Sequence, residues 1–314
     1  MKDVGQKIAE VAALKHALPY LRLFQGRTFV VKLSGEAIPE AGDAAGRARL
    51  DAFLEQVEIV HRLGIRVVLV HGGGPQTTAL ATRLGLETTK VDGRRVTDGP
   101  TLEAAVMATA GTVNTTLLAA CRRLELPAVG VSGIDAGLVA AHRRPPVLSH
   151  AGEPVDFGFV GDIDAIDPKV LERLLDAGFV PVVAPLAADE EGTVFNVNAD
   201  TIAAEVARAL GATKLLFALG VPGLLERADD PASLISLTDL AGLADLETRG
   251  IVSGGMLPKS RAVRRALEGG VARVHLVPFA ARDALLVELF TNEGIGTMVV
   301  ASTAALEPEP ELVS

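Results

Sequence analysis

The chain has a single cysteine, Cys121, in 314 residues, which excludes an internal disulfide and a cysteine-built zinc site. Its apolar neighbours mark it as an ordinary core position, and such sparse cysteine fits a reducing cytoplasm. Positive charge is also short: 30 Lys and Arg stand against 39 Asp and Glu, a net charge of −9. That balance argues against a nucleic-acid or anionic-membrane surface, so any handling of phosphate must be local. No GxxxxGK[ST] occurs, and Thr77 stands where a dinucleotide fingerprint needs its third glycine; neither kind of nucleotide loop is supported. No apolar run reaches 18 residues and the N-terminus reads as no signal peptide, so neither export nor a membrane span is expected.

What is present is a globular core: 49% of residues are apolar and 22% charged, enough for one large α/β domain or two lobes. The chain is organised around Arg66 to Pro75, RVVLVHGGGP. Val67 to Val70 is apolar on both faces, as a central parallel strand requires. Glycines at the end of such a strand let backbone N–H groups converge without a Cβ in the way, and converging N–H groups favour an anion.

In chain order, Lys2 to Ala17 reads as an amphipathic helix with Val4, Ile8, Val11, Leu14 and Leu18 on its apolar face, broken or kinked near Pro19. TFVVKL, Thr28 to Leu33, is the first buried strand. Lysine is rarely buried alone, so Lys32 is expected to face a cleft at the strand's carboxyl end. Helices are expected at Ala48 to Leu63, Gln76 to Leu84, Leu102 to Leu124, Pro168 to Ala177, Thr201 to Leu210 (capped by Asp200), Asp239 to Thr248, and from SGGMLPK, Ser253 to Lys259, onward to Leu267. Strands are expected at Ala128 to Ser132, Val180 to Ala184, Lys214 to Ala218, Arg273 to Val277 and Thr297 to Val300. VDGRRVTD, Val91 to Asp98, reads as a hairpin turning at Asp92 and Gly93, and Gly137 to Val160 as hairpin or loop. The βα alternation predicts a mainly parallel sheet, and the tail Ala301 to Ser314 reads as disordered.

Lys32-Leu-Ser-Gly35, His71-Gly-Gly-Gly-Pro75, Arg95-Val-Thr, Phe195-Asn-Val-Asn-Ala-Asp200 and Ser253-Gly-Gly-Met-Leu-Pro-Lys259 together resemble the amino acid kinase family, in its order and spacing, from about Leu18 to Val300. Singly, Asp200 reads as a helix cap, Lys259 as a solvated helix residue and Asn196 as turn chemistry; jointly they outweigh those readings. The resemblance implies an open, mainly parallel sheet sandwiched by helices, with an extra N-terminal helix over 1–25. It implies an N-terminal lobe over 26–185 for an acyl amino acid and a C-terminal lobe over 186–300 for ATP, with Mg2+ carried by the nucleotide.

Within the family the likeness is greatest to members that phosphorylate the side-chain carboxylate of N-acetyl-L-glutamate in arginine biosynthesis. Alternatives are a lysine-biosynthesis relative acting on an aminoadipate derivative, and a kinase-like regulatory subunit. By resemblance, Lys32, Lys259, Asp200 and Gly35 are catalytic: the lysines flank the transferring group, Gly35 and Gly73 donate N–H groups, and Asp200 orients the lysines. Gly73, Gly74, Arg95 and Asn196 hold the amino acid, and Met256 joins Lys32, Gly35 and Lys259 on the nucleotide. A homo-oligomer, dimer or hexamer, is implied, with arginine as feedback inhibitor through Glu288-Leu-Phe-Thr and Gly294-Ile-Gly-Thr297. The chain departs from the family at Leu219-Gly220, where Thr or Ser then Asp is usual, at Pro278 to Ala280, and at Ser34.

Overall fold

The computed structural model describes residues 11, 15, 17–91, 94–149, 152–227 and 229–305. Eight strands form the main sheet: β1 (Thr28–Leu33), β2 (Arg66–His71), β3 (Ala128–Ser132), β4 (Val180–Ala184), β5 (Lys214–Leu219), β6 (Leu237–Asp239), β7 (Arg273–Pro278) and β8 (Thr297–Val300). Their order across the sheet is β6-β8-β7-β5-β1-β2-β4-β3. Neighbours from β7 to β3 are parallel; β8 runs antiparallel to β7 and carries β6 with it. The expectation of a mainly parallel sheet therefore holds for all but this edge.

The helices are α1 (residues 17–24), α2 (Ala44–Arg62), α3 (Gly74–Arg83), α4 (Gly99–Val106), α5 (Asn114–Arg123), α6 (Lys169–Asp176), α7 (Ala199–Ala209), α8 (Leu240–Thr248), α9 (Met256–Glu268) and α10 (Ala284–Phe290). They cover both faces of the sheet. Successive strand residues alternate between two apolar layers: Val30, Val68 and Val70 face the layer built with α6 to α9. Phe29, Val31, Leu33, Val67 and Leu69 face the layer built with α1, α2, α5 and α10. Burial on both faces is why these strands read as unbroken apolar runs.

This alternation sets the direction of the polar residues that end the strands. Lys32 shares the face of Val30, toward α7, whereas His71 shares the face of Leu69, toward α5.

Several expectations are corrected. Residues 17–24 are helical on both sides of Pro19, so the chain does not break there, and Tyr20 and Phe24 are buried in the core of the same domain. Val11 and Leu18 are exposed; Val4, Ile8 and Leu14 lie outside the described residues, as do Asp92, Gly93 and the tail from 306. The flanks of the expected turn do pair, Lys90–Val91 with Arg94–Arg95. At the other end of the described chain, Thr303 binds Asp239 through its N–H and its hydroxyl.

The segment read as hairpin or loop contributes to a second sheet of Val194–Asn196, Leu186–Ala188, Val139–Arg143 and Gly161–Ile166. Its strands are short, partly exposed and poor in β-branched residues, so the two-residue period is faint. It joins strands from both sides of position 185.

The long helix expected over Leu102 to Leu124 runs from α4 into α5 but passes through a π-helical turn, Met107–Val113. Helix Gly99–Arg123 is long and apolar enough to cross a bilayer, yet half of its apolar window is buried inside this fold. It is a core helix: Asn114 bonds the carbonyl of Val182 on β4.

Candidate active site

Open parallel sheets bind ligands where strands on either side of a central strand diverge, at their carboxyl ends. Here that point is the end of β1, between β2 and β5. A cavity of about 630 Å³ opens there, lined by Lys32, Gly35, Gly72 to Gly74, Arg95, Asn196 and Asp200 among others. Although the chain is acidic overall, the lining carries Lys32, Lys90, Arg94, Arg95, Arg144, Arg261 and Arg265 against only Asp162 and Asp200. The local excess of cations expected for an anionic ligand is present.

Two lysines converge on one carboxylate. Lys32 Nζ lies 2.6 Å from Asp200 Oδ1, with both side chains buried, and Lys259 Nζ lies 3.2 Å from Asp200 Oδ2. Lys32 forms a buried ion pair with Oδ1, and Lys259 donates a hydrogen bond to Oδ2. Burial would push the Asp200 carboxyl upward, but the ammonium of Lys32 and then that of Lys259 outweigh it and hold the carboxyl below its usual range. A carboxylate held ionised between two cations can orient both without exchanging a proton.

Asp200 is free for this role because it does not cap its helix. The cap is Asn198, whose side chain accepts from the N–H groups of Asp200 at 2.8 Å and Thr201 at 3.1 Å. The expected cap is thereby corrected: α7 starts at Ala199, and Asp200 occupies its first turn, turned toward β1.

The glycines form two facing ledges. An added Cβ on Gly35 would stand 3.2 Å from Gly73 N, one on Gly72 3.1 Å from Gly35 N, and one on Gly73 2.6 Å from Thr109 Cγ2. Side chains at these positions would drive the ledges apart. Gly35 opens a 3₁₀ turn and Gly74 opens α3. The N–H groups at these starts have no carbonyl one turn earlier to bond. Gln76 ties the ledges together, its Nε2 donating to Gly35 O at 2.8 Å and to Ile38 O at 3.2 Å.

Arg95 reaches over α3 to Thr78 Oγ1 and Gly74 O through Nη2, while its buried Nη1 has no hydrogen-bond partner. A buried guanidinium nitrogen without an acceptor, on the cavity wall, suits a ligand carboxylate. Both arginines of the hairpin line the cavity. Asn196 lines it from Val194–Asn196. Met256 instead opens α9 and packs, half buried, against the apolar layer beneath.

The structure also brings in groups that sequence reasoning missed. Arg144 grips Asp162 on the cavity wall at 3.0 and 3.1 Å through Nε, Thr109 stands behind Gly73, and Asn114 reaches His71 and the carbonyl of Val182. A polar triplet, Asn114-Thr115-Thr116, inside an apolar helix was the one available cue.

The amino acid kinase family matches residues 27–278 of this chain. The chain belongs to the amino acid kinase family. Among its family relatives is an acetylglutamate kinase of Myxococcus xanthus (strain DK1622), 48% identical over 298 residues that cover 93% of this chain and 95% of the relative. Another is an acetylglutamate kinase of Symbiobacterium thermophilum, 42% identical, covering 94% and 99%. Among solved structures, N-acetylglutamate synthase from Neisseria gonorrhoeae, complexed with coenzyme A and N-acetyl-glutamate, superposes with a TM-score of 0.79 at 30% identity. That match covers 93% of this chain but 64% of the synthase. Carbamate kinase from Giardia lamblia bound to AMP-PNP, at 18% identity and a TM-score of 0.62, shares the fold.

Proposed function

We propose that this chain transfers the γ-phosphoryl group of ATP to the side-chain carboxylate of N-acetyl-L-glutamate, in arginine biosynthesis. The observation that carries this reading is the buried Lys32–Asp200–Lys259 arrangement beside the glycine ledges, in a chain whose full-length relatives are named acetylglutamate kinases.

A carboxylate acceptor is ionised at neutral pH, so no general base is needed. Its oxygen forms the new bond to phosphorus as the bond to the ADP oxygen breaks, giving an acyl phosphate and ADP. The protein's task is to offset charge on the transferring oxygens and to align two anions that repel each other. Lys32 from β1 and Lys259 from α9 supply the charge, Asp200 sets their positions, and Gly35 and Gly73 add N–H donors. Arg95 holds the α-carboxylate, with Gly74 and Asn196 completing the amino-acid pocket. In this reading Mg2+ travels with ATP.

A coupled assay with ATP and N-acetyl-L-glutamate tests this reading, and absence of turnover with any acyl amino acid sinks it. Titration calorimetry with ATP separates it from a non-catalytic regulatory subunit, which would bind acetylglutamate without nucleotide.

Arginine is the proposed feedback inhibitor. Behind β5 and β7, buried His275 meets Glu288 Oε1 at 2.6 Å through Nδ1 and Lys214 Nζ at 3.3 Å through Nε2. Tyr20 and Asn292, hydrogen-bonded to each other, tie α1 to the segment after α10. This cluster joins the N-terminal helix to the C-terminal stretch singled out in the sequence, and the same synthase has also been solved with L-arginine. An inhibition titration decides it.

The stretch ahead of Leu18, read from the sequence as an amphipathic helix, is the proposed oligomer contact. Because Tyr20 and Phe24 belong to the core, the informative deletion is residues 1–16; light scattering should show loss of the higher oligomer, and unchanged mass would remove the helix from the interface.

A further inference from the structure

The carboxyl end of β2 holds a buried hydrogen-bond relay that the proposed chemistry leaves unexplained. His71 is completely buried. Its Nδ1 lies 3.1 Å from Gly72 O, and its Nε2 lies 3.3 Å from Asn114 Nδ2. The same Asn114 nitrogen lies 3.1 Å from Val182 O on β4 and donates to it.

An amide nitrogen can only donate, so His71 Nε2 accepts and Nδ1 carries the proton. Burial, reinforced by the charge of Lys32 and opposed by the bond to Gly72, lowers the imidazole pKa to about 4, so the ring is neutral at physiological pH. The Nδ1–H therefore donates to the carbonyl of Gly72.

A trans peptide sends its C=O and the following N–H in opposite directions. No cis peptide is present among the described residues. With Gly72 O drawn toward His71, the N–H of Gly73 is aimed at the opposite side, where the facing ledge of Gly35 lies.

Two further features serve this relay. Gly130 on β3 leaves room for it, since a Cβ there would stand 2.1 Å from Asn114 Oδ1. The π turn sets its phase: the buried positions run 101, 104, 105, 108 and 109, then resume at 113, 114 and 117 instead of 112 and 115 to 116. The wide turn takes up the extra residue and brings Asn114 round to face His71.

We propose that His71 and Asn114 are positioning residues that fix the orientation of the Gly72–Gly73 peptide, and so aim the Gly73 N–H at the transferring phosphoryl group. The inference rests on the proposed kinase reading for its target, though not for the relay itself.

The test is made on the full chain. His71→Asn keeps a donor where Nδ1 stood, whereas His71→Gln places its amide at the Nε2 position and leaves Gly72 O without a partner. The expected result is a kcat lowered about tenfold or more in His71→Gln, with KM for both substrates moved less than about threefold, and rescue to within about threefold of wild type in His71→Asn. Gly130→Ala, acting through Asn114, should lower kcat in the same direction. Equal loss in His71→Asn and His71→Gln, or wild-type kcat in His71→Gln, overturns the proposal.

A ligand-free measurement applies even if a variant fails to fold. Nitrogen-15 NMR of the wild-type ring should show a neutral Nδ1–H tautomer at pH 7; an Nε2–H tautomer or an imidazolium overturns the relay. Wild-type protein with this tautomer but no turnover on N-acetyl-L-glutamate would instead refute the kinase reading and leave the relay standing.

Discussion

Adjacent strands of the sheet each bury a lysine, with opposite outcomes. Lys32 stands near the carboxyl end of β1 and faces α7; Lys214 stands at the start of β5 and faces the other layer, its Nζ 4.9 Å from the centre of the Phe24 ring. Lys32 meets a carboxylate at 2.6 Å on the wall of an open cavity. Lys214 meets an imidazole at 3.3 Å, and burial, with the nearby charge of Arg273, lowers its pKa to about 7 against the pull of Glu288.

Charge in the second cluster lies further along the relay. His275 is lowered to about 4 by burial and by the Lys214 charge, while Glu288 falls to about 2 despite burial, held by His275 and by the N–H groups of Ile295 and Gly296. The difference lies in what each ammonium touches: Lys32 meets a carboxylate directly on an open cavity wall, whereas Lys214 meets the imidazole of His275, which in turn binds Glu288.

The comparison breaks most sharply at Lys32. Replacing Lys32 or Lys259 with Ala should lower kcat by about 10² or more, the scale of losing one preorganised charge partner; either variant with wild-type kcat would reduce that lysine to a structural charge. Asp200→Asn leaves two cations facing each other, Lys32 of them buried, and should cost about 3 kcal/mol in denaturant unfolding as well as turnover. An unchanged midpoint would mean the pair contributes no stability.

Arg95→Ala should raise KM for the acyl amino acid about tenfold, with a smaller change in kcat, since it removes ground-state recognition. An unmoved KM would take Arg95 out of the pocket.

The two clusters also answer to pH, in separate windows. Lys214 is depressed in the folded state to about 7 from an unfolded value of about 10.4. Between those values the unfolded chain binds the extra proton, so stability rises with pH from about 7 to about 10. Lys214→Met should flatten that rise in denaturant titrations, and a slope unaltered by the substitution would show that another group titrates. The contribution of Asp200 is present above its unfolded pKa of about 3.9 and lost as pH falls through its lower folded value.

How much of this was legible beforehand depended on burial. Strands buried on both faces, such as Thr28–Leu33 and Val180–Ala184, announce themselves through unbroken apolar runs, and their ends matched. Val139–Arg143 is partly wet and lay in what read as hairpin or loop, and Gly161–Ile166, also partly wet, was assigned no element. Lys32, Asp200 and Lys259 were legible as motif members, but that Asn198 and not Asp200 caps α7 depends on side-chain direction, which spacing does not give. Asn114 was illegible for a related reason: in an unbroken α-helix its position would fall on a different face from the one the π turn assigns it.

That turn spares two properties usually lost together when a helix changes length. A helix holding one surplus residue can shed it and close into regular α geometry, so deleting Gly111 should cost the fold little. Because the wide turn has already absorbed the surplus residue, the buried positions 113, 114 and 117 would keep their faces as 112, 113 and 116 of a regular helix, and the amide behind β2 would stay on the ring it serves. The segment is thus a place where the chain can give up a residue and keep both its fold and its chemistry.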